Sequence, residues 1–249
     1  MRRSKNRKGE EAMSTYVLVH GAWHGSWCWS KVIPLLAKEG HKVVAPDLPG
    51  HGSDKTPIPA ISLQAYTDRV CQILDGQSET VRLVGHSMGG IIITQAAEYR
   101  PDKIDALVYL AAYLPRNGEA MYQMAEADKE SLAAANTLVA EDQSYATIKD
   151  EAIKEVFYGD CSNKDVMQAK SLLVPQAVAP VLTPVNTTQG NFGRVRRMYV
   201  TCLRDRAISP SYQRSMYTSL PCEKVVSMDT SHSPFLSAPE ELARILLSL

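Results

Sequence analysis

The chain has 249 residues, of which 45% are apolar, and its 27 basic side chains balance 27 acidic ones. This neutral charge argues against a nucleic-acid-binding protein, and no apolar run reaches the ~20 residues that a membrane-spanning helix needs. We therefore expect a globular, enzyme-sized protein without nucleic-acid or membrane partners.

The start of the chain and the cysteines indicate where the protein resides. Residues 1–13 are rich in Arg and Lys but no apolar stretch follows them, so we predict a disordered basic leader rather than a secretory signal. The 5 cysteines are odd in number, widely spaced and without a C-x-x-C pair. This pattern is typical of reduced thiols and predicts a cytoplasmic protein.

Short runs rich in Val, Leu, Ile and Tyr alternate with helix-like stretches along the chain. The predicted strands are residues 16–20, 42–45, 81–85, 106–110, 197–202 and 224–228. The predicted helices are residues 30–38, 62–74, 88–99, 210–219 and 239–247. Several strands are almost continuously apolar, which is typical of strands buried on both faces. The alternation predicts an α/β fold with about six mostly parallel strands and helices on both faces.

A long stretch after the fourth predicted strand interrupts this alternation. Residues 115–194 contain no clear core strand, and they place Met, Ala and Tyr near helical spacing. Because a structureless loop of this length is unusual, we predict a helical cap over the carboxyl ends of the strands. Residues 14–114 and 195–249 would then form the core. Met121 and Met124 are candidates for an apolar pocket in this cap, since methionine adapts to varied ligands.

A candidate nucleophile lies in Gly85-His86-Ser87-Met88-Gly89, between a predicted strand and a predicted helix. In this context a G-x-S-x-G motif forms a sharp turn that exposes the serine. The helix that follows has a dipole that favours negative charge at its start. The motif therefore predicts Ser87 as a nucleophile, with a serine that only caps the helix as the alternative.

A serine hydroxyl becomes a good nucleophile only when a neighbouring base accepts its proton. Among the 6 histidines, only His232 follows Ser87 along the chain, which is where this motif's fold places the base. The orienting acid is expected between the two, and Asp205 follows a predicted strand there. Asp229, close to His232, and Glu119, after the fourth strand, are the alternatives.

Catalysis of acyl transfer also needs N–H groups that bind the developing oxyanion. Met88, directly after the nucleophile, would supply one, and Ala22 in the loop after the first strand would supply another because Gly21 allows a tight turn. His20 and His24 lie in the same loop, but glycine breaks it and no acidic ligand is adjacent. We therefore predict no metal site, and the absence of glycine-rich phosphate motifs predicts no cofactor.

Taken together, the segments HGAWHGSWCW, DLPGHGS, GHSMGG and SHSPF and the loop around Asp205 resemble the α/β-hydrolases. The closest resemblance is to the branch of plant methylesterases, salicylate-binding esterases and hydroxynitrile lyases. It extends from about residue 14 to the C-terminus. It implies the α/β-hydrolase fold with a cap after the fourth strand, no cofactor, and apolar small-molecule substrates. It also implies a triad of Ser87, Asp205 and His232 with oxyanion N–H groups from Ala22 and Met88.

Two positions separate the esterases from the lyases of this branch. The lyases have a threonine where this chain has Gly21 and a lysine where it has Ser233. The resemblance therefore predicts a serine carboxylesterase for small to medium apolar esters. A hydroxynitrile lyase, or a small-molecule receptor that retains the triad, is the alternative, and a homodimer is left open. The candidate pocket residues are Gly21, Trp23, Met121, Met124 and Phe235.

Overall fold

The computed structural model describes residues 13–249, so the predicted leader lies outside the described residues apart from Met13. Nine strands occur in this part of the chain. In chain order they are β1 (Thr15–Val19), β2 (Lys42–Val44), β3 (Val81–His86), β4 (Ile104–Leu110), β5 (Thr137–Val139), β6 (Tyr145–Ile148), β7 (Gln176–Ala177), β8 (Arg196–Cys202) and β9 (Lys224–Met228).

Helices connect these strands, and the longer ones match the predicted positions. In chain order they are α1 (Ile33–Lys38), α2 (Leu63–Asp75), α3 (Gly89–Tyr99), α4 (Met121–Ala127), α5 (Ala133–Asn136), α6 (Ile153–Phe157), α7 (Asn163–Leu172), α8 (Val178–Leu182), α9 (Pro210–Ser219), α10 (Pro234–Ser237) and α11 (Pro239–Leu247). Short 3₁₀ turns occur at Ser26–Trp29, Ile58–Ala60, Pro101–Lys103, Asp150–Ala152 and Phe192–Arg194.

The central sheet has six strands in the order β2-β1-β3-β4-β8-β9. All neighbouring pairs are parallel, so every strand ends at the same edge of the sheet. The chain passes from β1 to β2 on one side and then to β3 on the other side of β1. Such a switch in strand order opens a crevice at the carboxyl ends of the strands, where ligands bind in open α/β sheets.

Both faces of the sheet are covered, which explains the continuous apolar runs. Val17 and Val19 of β1 belong to the apolar cluster that includes α2 and α3, whereas Tyr16 and Leu18 belong to the opposite cluster with α1 and α11. Successive side chains of a strand point to opposite faces, so a strand buried on both sides must be apolar throughout. The α/β-hydrolase-like architecture predicted from the sequence is therefore confirmed.

The predicted helix at residues 30–38 begins later than expected. Residues Ser26–Trp29 form a separate 3₁₀ turn, and α1 starts only at Ile33 with a proline in its first turn. Proline fits the first turn of a helix because the N–H that it lacks has no partner there anyway. The proline therefore marks the start of α1.

Residues 115–194, which we call the inserted segment, contain short helices as expected but also a small antiparallel sheet. Its strand order is β5-β6-β7, and its members have only 3, 4 and 2 residues. Such short strands give too few alternating positions to be recognised in the sequence. That the inserted segment is a separate cap domain stays a prediction. Throughout residues 13–249, each helix is too short or too polar to cross a membrane.

Candidate active site

Ser87 occupies the turn between β3 and α3 with a φ of 54°, in the left-handed region. This conformation costs a residue with a Cβ roughly 1–2 kcal/mol, and such strain is typical of functional positions. The turn is tight enough that a Cβ at Gly85 would lie 2.7 Å from the carbonyl carbon of Gly89. The N–H of Tyr113 donates to the Ser87 carbonyl at 3.1 Å. These contacts hold Ser87 in a buried turn at the wall of a cavity.

The neighbouring strands β8 and β9 bring Asp205 and His232 together. Asp205 follows β8, His232 follows β9, and the two strands are paired in register up to Cys202 and Met228. Nδ1 of His232 lies 2.8 Å from Oδ2 of Asp205, and both side chains are buried. Because an ionised carboxylate only accepts hydrogen bonds, Nδ1 carries the ring hydrogen and donates the hydrogen bond to Oδ2 of Asp205. Within residues 13–249 no protein group bonds to Nε2 of His232, which leaves that nitrogen available to accept a proton.

Further hydrogen bonds fix the Asp205 carboxylate. Oδ1 accepts from the N–H groups of Ala207 at 2.8 Å and Ile208 at 3.0 Å. Oδ2 also accepts from Nε2 of Gln213 at 2.9 Å. The Gln213 side chain is fully buried, and its Oε1 accepts from the Thr201 hydroxyl at 2.8 Å. Gln213 therefore fixes the carboxylate of Asp205, a contact that the sequence did not reveal because one glutamine on a helix gives no pattern.

The two alternative acids have other partners. Oδ1 of Asp229 lies 3.0 Å from Nε of Arg204, and the Asp229 side chain is 79% exposed. Glu119 accepts a hydrogen bond from Nε of Arg116 at 2.8 Å and lines a separate cleft. Within the described chain, Asp205 is therefore the carboxylate that contacts His232.

His86 places His232 beside the serine turn. Nε2 of His86 donates to the His232 carbonyl at 2.8 Å, and the two ring centroids are 4.5 Å apart. His86 directly precedes Ser87, so the imidazole of His232 lies close to the candidate nucleophile. No hydrogen bond joins the Ser87 hydroxyl to His232 in residues 13–249, and proton transfer between them stays a prediction. Catalytic hydrogen bonds often tighten only when substrate binds.

The two predicted oxyanion N–H groups flank the serine. Ala22 lines the same cavity as Ser87, and Met88 is the next residue after it. Within residues 13–249 neither amide donates to a protein acceptor, although both residues are buried. Buried N–H groups normally have partners, so a pair left open beside a nucleophile is suited to binding an oxyanion.

His20 and His24 stabilise the loop after β1, which contains Ala22, by hydrogen bonds from both ring nitrogens. Nδ1 of His20 donates to the Gly21 carbonyl at 2.8 Å, and its Nε2 accepts from the Leu48 N–H at 3.1 Å. Nδ1 of His24 donates to the Ala22 carbonyl at 2.7 Å, and its Nε2 accepts from the Tyr158 hydroxyl at 2.6 Å. Both nitrogens of each ring are occupied by protein groups, so these side chains are poor candidates for metal ligands.

Burial keeps the histidines around the site neutral. Burial lowers the pKa of His24 to about 4, and it lowers the pKa values of His20 and His86 well below the usual range. Neighbouring imidazoles act in the same direction, since repulsion from His51 lowers the pKa of His20 and repulsion from His232 lowers that of His86. Neutral neighbours do not repel a positive charge that forms on His232 during proton transfer.

The cavity above Ser87 has a volume of about 850 Å³. Its walls are mostly apolar and include the predicted pocket residues Trp23 and Met121. The N–H of the Trp23 indole donates to the Ala146 carbonyl of the inserted segment at 3.0 Å. Phe157 also lines this cavity and had no distinguishing signal in the sequence. A cavity of this size is typical of small-molecule sites.

The three remaining predicted pocket residues are not among those that line this cavity. Met124 lines the separate cleft next to Glu119, whereas Met121, one turn earlier on α4, lines the cavity of Ser87. Phe235 is fully buried and packs against His86, with ring centroids 4.8 Å apart. Among the described residues, Met124 and Phe235 are therefore not in the wall of this cavity, and a role for them in substrate binding stays a prediction. Gly21 lies beside the nucleophile, since a Cβ there would be 2.7 Å from Cβ of Ser87.

Comparison with known proteins places the chain in a family. Residues 16–245 match the model of the family described as "Alpha/beta hydrolase family". The chain belongs to the alpha/beta hydrolase family. Solved alpha/beta hydrolase structures resemble it closely: a pyrethroid hydrolase from Sphingobium faniae JZ-2 superposes with a TM-score of 0.85 at 29% identity, covering 95% of this chain and 97% of that one. Polyneuridine aldehyde esterase gives a TM-score of 0.86 at 25% identity, covering 95% and 98%.

Curated relatives of this alpha/beta hydrolase have the names of ester hydrolases. Methylesterase 9 of Arabidopsis thaliana is 33% identical over 95% of this chain and 98% of its own length. The pyrethroid hydrolase of Sphingobium wenxiniae is 33% identical over 92% of this chain and 85% of its own length. Putative methylesterase 11 of Arabidopsis thaliana is 35% identical over 94% of this chain, which spans 63% of that longer protein. These relatives support the predicted class of carboxylic-ester hydrolase.

Proposed function

We propose that this protein is a serine carboxylesterase that hydrolyses small to medium apolar esters through an acyl-enzyme. The observation that carries the proposal is the buried contact of 2.8 Å between His232 and Asp205, next to the strained turn of Ser87. A base with a fixed orientation beside a serine that lines a cavity is the arrangement that makes a hydroxyl nucleophilic.

In the first half of the reaction, Oγ of Ser87 attacks the ester carbonyl carbon while Nε2 of His232 accepts the hydroxyl proton. The Asp205 carboxylate stabilises the imidazolium that forms and holds Nδ1 in its donating orientation. The N–H groups of Ala22 and Met88 donate to the tetrahedral oxyanion. His232 then returns the proton to the departing alkoxide oxygen, the alcohol leaves, and the acyl group remains bonded to Ser87.

In the second half, the same residues act on water. Nε2 of His232 accepts a proton from a water molecule as its oxygen attacks the acyl carbonyl carbon. The oxyanion again binds the two N–H groups, and the imidazolium then protonates Oγ of Ser87 as the acyl–serine bond breaks. The carboxylic acid product leaves, and the enzyme returns to its starting state without a cofactor.

The cavity walls indicate the kind of ester that fits. The walls are mainly apolar, and the charged residues among them are Glu126 and Glu141, both acidic and exposed. Apolar walls favour neutral esters, and acidic residues at the edge disfavour anionic ones. Relatives named methylesterases and a pyrethroid hydrolase agree with neutral ester substrates. A methyl ester or a larger apolar ester is therefore the proposed substrate.

The space beside Ser87 favours an esterase over a hydroxynitrile lyase. A side chain at position 21 would place its Cβ 2.7 Å from Cβ of Ser87 and 3.2 Å from the His86 carbonyl oxygen. The threonine that the lyases have at this position would therefore collide with the nucleophile turn. Incubation with mandelonitrile should release no cyanide, while ester hydrolysis should proceed.

A cytoplasmic location is part of the proposal. All the cysteines are free thiols: Cys28, Cys71, Cys161, Cys202 and Cys222. Free thiols are typical of reducing compartments, because oxidising ones favour disulfides.

The test is the rate of p-nitrophenyl acetate hydrolysis by purified variants. Ser87→Ala should lower kcat about 1,000-fold or more, because the acyl-enzyme can no longer form. Ser171→Ala is the matched control, since Ser171 is exposed on α7 and donates only to a helix carbonyl. Ser87→Ala protein that keeps most of the wild-type activity would refute the nucleophile, and a wild type that binds esters without turnover would favour the receptor alternative.

A further inference from the structure

A carboxylate of the inserted segment binds the residue that precedes His232. Asp160 lies on the loop between α6 and α7, and its Oδ2 accepts from the backbone N–H of Ser231 at 2.9 Å. Its Oδ1 accepts a short hydrogen bond from the Ser231 hydroxyl. The Asp160 side chain is 14% exposed, so water competes little for these bonds. Both oxygens of one carboxylate therefore hold the backbone next to the proposed base.

The same carboxylate lies close to the loop of the proposed acid. Nη2 of Arg204, which directly precedes Asp205, is 3.5 Å from Oδ2 of Asp160. Arg204 also connects the two loops, because its Nε donates to the Asp229 carbonyl at 3.2 Å. Its backbone N–H donates to the Thr230 carbonyl at 2.9 Å. Asp160 thus contacts the chain neighbours of both members of the acid–base pair.

We propose that Asp160 is a positioning residue that fixes the orientation of His232 through Ser231. The inference rests on the proposed esterase function. A carboxylate that accepts from a backbone N–H and from the hydroxyl of the same residue restricts both the position and the rotation of that residue, and hydrogen bonds to a charged acceptor are the strong ones. Because Asp160 belongs to the inserted segment, correct packing of that segment over the cavity also aligns the imidazole with Ser87.

This role makes a prediction that a purely stabilising contact does not. Poor alignment of the base slows attack by Ser87, because even a shift of about 1 Å in a reacting group lowers rates strongly. The cavity that binds the ester is lined by other residues, so substrate binding should change little. A positioning role therefore lowers kcat at nearly constant KM, whereas general loosening of the fold would lower thermal stability and change both constants.

The substitution that tests the role is Asp160→Asn. Asparagine has nearly the same shape but no charge, so the bond from the Ser231 N–H becomes a neutral one and the Ser231 hydroxyl can no longer donate to a carboxylate. We expect about a 10-fold slower covalent inactivation of Ser87 by a fluorophosphonate probe. We expect a similar fall in kcat for p-nitrophenyl acetate, with KM within about 2-fold of wild type. Asp150→Asn is the matched control, because Asp150 also lies in the inserted segment but is 80% exposed and pairs with Lys170.

A second variant keeps the test decisive if Asp160→Asn folds poorly. Ser231→Ala removes only the hydroxyl donor and should lower kcat about 3-fold at an unchanged melting temperature. In the double variant, loss of Ser231 should add little to the effect of Asp160→Asn, because both act through the same contact.

The outcomes separate this inference from the proposed function. A wild-type protein that does not react with the probe refutes the esterase mechanism, and the positioning role with it. A reactive wild type whose Asp160→Asn and Ser231→Ala variants react equally fast refutes the positioning role alone. Variants that keep the wild-type kcat and differ only in KM or in melting temperature also refute the positioning role.

Discussion

The histidines of this protein differ in function because they differ in hydrogen-bond partners. His20 and His24 direct their nitrogens at backbone groups and, for His24, at a tyrosine hydroxyl. His86 donates to a carbonyl, and the other nitrogen of its ring has no hydrogen-bond partner among residues 13–249. In the described chain only His232 has a carboxylate partner. A carboxylate stabilises a protonated imidazole, so this one contact is the reason why His232 is the proposed base.

At the residue scale, the lack of room for a side chain at Gly21 predicts the effect of a single substitution there. An added Cβ would lie 2.7 Å from Cβ of Ser87, in a region where backbone rather than flexible side chains must yield. We expect Gly21→Ala to displace the neighbouring Ala22 N–H and lower kcat/KM for p-nitrophenyl acetate about 100-fold. Gly190→Ala is the matched control, because an added Cβ there meets no atom of the described chain within 4 Å. Equal activity of the two variants would show that catalysis does not require the backbone at Gly21 to lie so close to Ser87.

At the scale of elements, the register of β8 and β9 assembles the acid–base pair, and α9 completes it. Gln213 of α9 donates to Asp205 at 2.9 Å and accepts from Thr201 of β8 at 2.8 Å. The helix therefore connects the strand to the carboxylate that follows it. Ser209 fixes the start of α9, because its side chain accepts from the Tyr212 N–H. A Ser cap followed by proline is also why residues 210–219 could be predicted as a helix.

The role of α9 leads to a second prediction. Gln213→Leu fills the same space but removes the donor to Asp205 and leaves the Thr201 hydroxyl without its acceptor. We expect kcat to fall about 10-fold and the free energy of unfolding to fall by about 1–3 kcal/mol. Urea unfolding and ester kinetics measure the two effects. Gln168→Leu, an exposed change on α7, should alter neither, and a Gln213→Leu protein that behaves like it would contradict this role.

Elements also show what the sequence could and could not predict. The parallel sheet was predictable, because continuous apolar runs mark the strands. The contact between Asp205 and His232 was predictable because strand ends converge at one edge, while the catalytic roles of Ser87, Asp205 and His232 stay predictions. The strands β5–β7 were missed because they are so short. Asp160 and Gln213 gave no signal because their proposed roles rest on contacts made only in the folded chain, such as the one between Asp160 and Ser231, 71 positions apart. Which cavity Met124 lines depends on how the seven-residue helix α4 is rotated about its axis, and the sequence does not specify that rotation.

At the scale of the whole molecule, buried neutral histidines couple folding to pH. An unfolded histidine has a pKa near 6.5, whereas burial lowers the pKa of folded His24 to about 4. Between these values the unfolded chain binds more protons than the folded one. The contribution to stability is therefore fully present above about pH 6.5 and is lost as pH falls toward 4. His20 and His86, whose pKa values are also lowered by burial, add to the same trend.

The free energy of unfolding should therefore be lower at pH 5 than at pH 7.5. His24 alone should account for a difference on the order of 2 kcal/mol, measured by urea unfolding at both pH values. His24→Asn can keep a donor to the Ala22 carbonyl but has no titrating ring, so its pH dependence should be weaker. Stability that stays constant or rises toward pH 5 would contradict neutral burial of these rings.

The central claim is that Ser87 carries the acyl group during ester hydrolysis. The most direct measurement is rapid acid quenching of the wild-type protein during turnover of p-nitrophenyl acetate, followed by digestion and peptide mass spectrometry. We predict an acetyl group on Ser87, formed with a burst of p-nitrophenol and missing from the Ser87→Ala protein. An acetyl group on another residue that accounts for the burst, or turnover without any acetylated Ser87, would contradict the account.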